Sequence, residues 1–169
     1  LYRKVPHDII DDMYTSLSIL CDGFRVVSVP DAFAYEKNAT SSADEFRRKV
    51  RIACRSFNCH RYIFARLVKL NWLDIYKYAS HKLIRWMTAY FLFGGFVFGL
   101  VAAIQLGLAP YFLAIAALAG IVFVLGLLGV PKLRGIADVL LAFAAVGIGV
   151  CHSIQGHRYQ TWLPPQSAR

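Results

Sequence analysis

The sequence predicts an α/β segment followed by an all-α membrane region of about three transmembrane helices, and three observations support this. Charge is segregated, with 15 of the 19 Lys and Arg and 9 of the 10 Asp and Glu falling before Trp86. From Trp86 to Pro131 there is no charged residue, a run of 46. Ahead of that run, helical and extended patterns alternate, which suits an α/β segment. A chain that is 57% hydrophobic and carries a formal charge of +9 is neither a disordered segment nor an ordinary soluble domain. The shift in composition sets the expected boundaries: a polar domain over 1–70, an interfacial helix over 71–86, three membrane helices over 87–156 and a tail over 157–169. Leu1 is not followed by a basic n-region, a short apolar stretch and a cleavage site. No secretory signal is therefore expected, and a start at Leu rather than Met is expected of part of a longer protein.

The first element is a short helix. Asp11 and Asp12 precede apolar Met13, Leu17 and Leu20 at helical spacing, and Gly23 follows as a C-terminal cap. Asp is a favoured N-cap residue, so one aspartate has a structural explanation, whereas the second like charge gains little from the same role. "FRVVSVP", residues 24–30, reads as a buried strand ended by Pro30, and "AFAYE", residues 32–36, as a second extended piece.

A second helix starts near Ala43, because Ser42 and Glu45 have capping-box spacing and Asp44 adds negative charge to the first turn. At 100° per residue, Arg47, Arg48, Arg51 and Arg55 share one sector, while Phe46, Val50, Ala53 and Phe57 gather on another. Four guanidinium groups on one face repel one another, which is tolerable only in water or opposite an anion. Three readings fit: a solvated face, anionic lipid headgroups, or a phosphate-bearing ligand. Nucleic acid is not expected, since this helix leads directly into the membrane and the segment carries no nucleic-acid module. Cys21, Cys54, Cys59 and Cys151 lack metal-ligand or disulfide-framework spacing and read as reduced structural thiols. Cys54, Cys59 and His60 look metal-like, but a five-residue step on a helix turns the two thiols apart.

"HKLIRWM" reads as a helix at the headgroups, with Trp72, Trp86 and Trp162 as interfacial anchors. A bilayer core takes about 20 helical residues, so the uncharged run folds back once, at "LGLAP", residues 106–110. Spans are expected near 87–106, 110–130 and 136–156, with Asp138 in the first turn of the third as an interface residue. Lys77, Lys82 and Arg85 precede the first span, and Lys132 and Arg134 lie between the second and third. The positive-inside rule therefore makes residues 1–86 cytoplasmic in a multi-pass protein of the cell membrane, with the tail outside.

Three stretches, "IIDDMYTSLSILCDGFRVVSVPDAFAYE", "EFRRKVRIACRS" and "SHKLIRW", together resemble the C-terminal half of a membrane-bound family 2 glycosyltransferase of the polysaccharide-synthase-like group. The resemblance covers most of residues 5–86. It implies the C-terminal part of a GT-A-like domain, in which an acidic pair opens a helix, followed by a Gly-aromatic-x-Val strand and an Ala-x-x-x-Glu segment.

By that resemblance Asp12 is the general base that takes the proton of an acceptor hydroxyl during inverting transfer from a nucleotide sugar. Asp11 supports it, by positioning the loop or tuning its neighbour. The family's Gln-x-x-Arg-Trp motif falls on Arg48, Arg51 and Ile52, so that Gln has become Arg and Trp has become Ile. Arg48 and Arg51 would then face the diphosphate of the leaving group. Loss of the Trp points away from long-chain polymerisation and towards transfer to a glycan or a lipid-linked acceptor. The family's Mg or Mn ion is held by an Asp-x-Asp motif that this chain lacks, and Asp8, Asp11 and Asp12 are not a substitute. The metal ligands and the donor half are therefore expected upstream, with no metal site in this chain. The alternative reading is a non-catalytic membrane module whose basic helix binds anionic lipid.

Overall fold

The computed structural model describes residues 4–27, 29–33 and 42–160. Its order is α1 (Asp11–Cys21), α2 (Ser42–Leu67), α3 (Trp72–Tyr78), a π-helical turn (Ala79–Leu83), α4 (Ile84–Gln105), α5 (Ala109–Leu127) and α6 (Pro131–Ile154). The described residues contain no strand, so the architecture is all-α and the α/β expectation is corrected. In "FRVVSVP", Phe24, Val26, Val27 and Val29 are exposed, Val27 at 76%. An apolar β-branched run becomes a strand only where another strand satisfies its backbone N–H and C=O groups, and none of the described residues offers one. Ala32 and Phe33 of the second expected piece are likewise exposed and without strand structure, while residues 34–36 lie outside the described residues.

The short first helix is seen much as its pattern implies. Gly23 has φ +87°, Phe24 N–H donates to Ile19 O at 3.2 Å, and Gly23 N–H donates to Leu20 O at 3.0 Å. These two bonds form a Schellman ending that needs a residue in the left-handed region. Gly107 ends α4 the same way, at φ +70°, with Leu108 N–H donating to Ala103 O at 2.7 Å. The fold-back is therefore where "LGLAP" put it, and Pro110 sits in the first turn of α5.

Three helices are long and apolar enough to cross a membrane: the continuous helix Trp72–Gln105, then Ala109–Leu127 and Pro131–Ile154. The third begins at Pro131 rather than near 136, because Pro at the first position is pre-organised for a helix start. Asp138 is consequently not in the first turn. It lies one turn after Arg134, whose Nε is 3.9 Å from its carboxylate.

The core is where α1, α2 and the end of α6 meet. Ile9, Met13, Tyr14, Cys59, Ile63, Leu67, Trp86 and Val150 form one buried cluster. α2 is sandwiched, with α1 on one side and α6 on the other. Gly149 of α6 lies so close that a Cβ there would be 2.5 Å from Val50 O and 2.6 Å from the Ala53 Cβ. Small residues permit such an approach between helices. Trp86, expected as an interfacial anchor, is instead 4% exposed and packs edge-on to Phe57, His60 and Tyr78. Trp72 is exposed at 78%, and Trp162 lies outside the described residues. The π-helical turn widens the helix by about one residue per turn, which lets Tyr78 and Trp86 both reach His60.

Candidate functional site

Asp11 and Asp12 occupy the first two positions of α1, and the N-cap is Ile10, which makes no side-chain cap bond. Neither aspartate is the N-cap. Both instead place carboxylates at the positive end of the helix dipole. Asp12 Oδ1 accepts a hydrogen bond from Met13 N–H at 2.6 Å, and both side chains are exposed. Among the described residues no cation pairs with either.

α1 is held rigidly beneath them. Arg55 Nη2 donates to Ile9 O at 2.6 Å. At the far end Arg66 Nη2 donates to Asp22 Oδ1 at 2.7 Å and to Ser18 O at 3.4 Å. Tyr14 and Tyr62 meet edge to face with centroids 5.8 Å apart. These contacts run α1 and α2 side by side in the same direction. A cation over the last carbonyls of a helix opposes its dipole favourably, which is the position of Arg66 on α1.

The arginine face of α2 divides in two. Arg55, counted with the exposed cluster from its spacing, is committed to the backbone of residue 9. Arg47 pairs with Asp44 at 2.6 Å, and Arg48 and Lys49 share Glu45 at 3.8 and 3.5 Å. Arg51 makes no ion pair among the described residues. Burial, then the neighbouring charges of Arg55 and Arg48, push its guanidinium below the usual arginine value. It remains cationic at any physiological pH, held in a crowd of like charge that an anion would relieve.

The structure does not bring Asp12 into contact with Arg48 or Arg51. Asp12 lies near Cys59, whose thiol is pushed up to about 12, first by burial and then by the Asp12 charge. Cys59 stands eight residues beyond Arg51, about 12 Å along the helix axis.

No three His, Cys, Asp or Glu converge on a metal position among the described residues, so these residues do not suit a divalent ion. Cys54 and Cys59 are both fully buried and their thiols are raised by burial, as structural thiols are.

The sequence reading missed a polar cavity of about 500 Å³ between the approach to α1, the middle of α2 and the end of α6. Asp8, Asn58, Arg61, Tyr62, Gln155 and Arg158 line it. These residues come from three segments up to 150 positions apart, and nothing in local spacing connects them. No family model, curated protein or solved structure matches the chain.

Proposed function

We propose that the chain is the acceptor-side part of a membrane-bound glycosyltransferase that transfers a sugar from a nucleotide sugar, with inversion, to a glycan or lipid-linked acceptor. Asp12 serves as general base, Asp11 supports it, and Arg51 with Arg48 faces the diphosphate. The observation that carries the reading is an exposed carboxylate pair on a clamped helix start, packed against the helix that carries Arg51, with neither the pair nor Arg51 neutralised among the described residues. A base must be held in place yet open to a hydroxyl, and a clamped but exposed first helical turn meets both needs. The arginines would stabilise charge that builds on the departing diphosphate. The reading rests on these side chains and on the resemblance of residues 5–86, and it puts those residues on the cytoplasmic side.

The test is sugar transfer by membranes carrying the full-length protein. Asp12→Asn is expected to lower turnover about 100-fold or more, the usual scale for a general base, while a nucleoside diphosphate still binds. Near-normal turnover would sink the assignment. Attachment to anionic vesicles that is indifferent to uridine diphosphate would favour the non-catalytic, lipid-binding module instead.

A further inference from the structure

The cavity between α1, α2 and α6 is bounded by side chains that the transfer reading leaves unused. Its wall is fixed by internal bonds. Ser153 Oγ donates to Asn58 Oδ1 at 2.5 Å. Asn58 Nδ2 donates to His157 O at 3.3 Å and to Asp8 O at 3.4 Å. Arg61 Nη1 donates to Ser153 O at 2.8 Å, and Arg158 Nη1 lies 3.0 Å from Asp8 Oδ2.

After these bonds a specific set of groups is left over. Arg61 has spent one of its five N–H donors on Ser153, and Arg158, 68% exposed on its side chain, is ion-paired with Asp8. Asp8 Oδ1, the Gln155 amide and the Tyr62 hydroxyl have no partner among the described residues. Two guanidiniums against one carboxylate leave one positive charge, which the carbonyl end of α6 offsets in part. The lining therefore offers one net cationic position for an anion, mixed donors and acceptors for hydroxyls, and a Tyr face. A site made mainly for a bare anion would not include a carboxylate and a helix C-terminus.

We propose that this cavity binds a hydroxyl-rich anion, the chemical class of an acidic sugar or a sugar phosphate. Arg61 and Arg158 take the anionic group, while Asp8, Gln155 and Tyr62 hold the hydroxyls. The volume falls within the range of small-molecule pockets, about 300–1,000 Å³. This inference is independent of the transfer reading, since it uses neither Asp12 nor Arg51 and its readout is binding alone.

The test is ligand-observed NMR on the full-length protein in detergent micelles, with glucuronate, glucose 6-phosphate, glucose and inorganic phosphate as probes. Glucuronate or glucose 6-phosphate is expected to bind at least tenfold more tightly than glucose and than inorganic phosphate. The tighter of the two identifies the anionic group as carboxylate or phosphate. Arg61→Gln and Arg158→Gln should each weaken that binding tenfold or more. Because Arg61 also bonds the end of α6, Gln155→Ala, which breaks no side-chain bond among the described residues, is the control for folding and should weaken sugar binding several-fold at unchanged melting temperature. Inorganic phosphate binding as well as the sugars, no binding of either acidic probe at 10-fold excess over the tightest control, or wild-type binding by both arginine variants would overturn the proposal.

Discussion

His60 sits among Phe57, Phe64, Tyr78 and Trp86, with centroids 5.4 to 5.8 Å away, and its Nδ1 is 2.8 Å from the Tyr78 hydroxyl. Burial lowers its pKa from the ordinary 6.5. In the unfolded chain the imidazole takes up its proton near that ordinary value, whereas in the folded state it does so only at lower pH. The unfolded state then binds more protons, so stability falls as pH drops below about 6.5 until the folded pKa is passed. Melting followed by tryptophan fluorescence should show this loss, and His60→Phe should flatten the curve between pH 7 and 5. A variant as pH-sensitive as the parent would assign the effect elsewhere. None of this cage was legible beforehand, because its rings come from α2, α3 and α4, the last two joined by a π-helical turn that no periodicity announces. The place of Asp12 at a helix start was legible because the helix that follows is strongly patterned. Arg55 was misread as part of an open face, since a wheel shows direction but not the carbonyl of Ile9 that waits there.

Among the elements, α2 is the one on which the others depend. Its spacing implied an apolar stripe opposite an arginine sector. The structure shows α6 covering that apolar stripe, with Gly149 against Val50 and Ala53, while α1 packs on another face through Arg55 and Tyr62. Gly149→Ala pushes a methyl against backbone atoms of α2, and overpacking of this kind costs about 1–3 kcal/mol. Gly135→Ala, on the same helix with open space around it, should instead be neutral or stabilising by up to about 1 kcal/mol through helix propensity. Thermal unfolding of the two variants in one detergent checks the contrast, and equal effects would deny the close packing. Helix patterns survived translation into structure because they are local. The strand expectation for residues 24–30 failed because a strand is a pairing, and its partner is not among the described residues.

At the scale of the whole molecule, the polar front and the last apolar helix form one body. α2 follows α6 in the same direction, Val50 and Ala53 meeting Gly149 and Arg61 meeting Ser153. The first ten residues of α2 include Asp44, Glu45, Arg47, Arg48, Lys49 and Arg51, which a hydrocarbon core does not accept. Packed on this segment, the end of α6 is expected to stand clear of the bilayer core on the side that holds α1 and α2, where Arg158 pairs with Asp8. The positive-inside reading expects residues 157–169 on the opposite side from residues 1–86, whereas the packing of α6 on α2 favours the same side for the end of α6, and protease access separates the two. Tags on the two ends of the chain should accordingly be cleaved from the same side of sealed vesicles. Cleavage from opposite sides would refute the shared body. One consequence concerns the order of synthesis. The bonds from Cys54 to His157 and from Arg61 to Ser153 join residues 103 and 92 positions apart. At roughly 5–20 residues per second, the ribosome completes α2 about 5–20 s before the helix that covers it, so through that interval the Ala53 and Cys54 face must stay uncovered or be held by another protein.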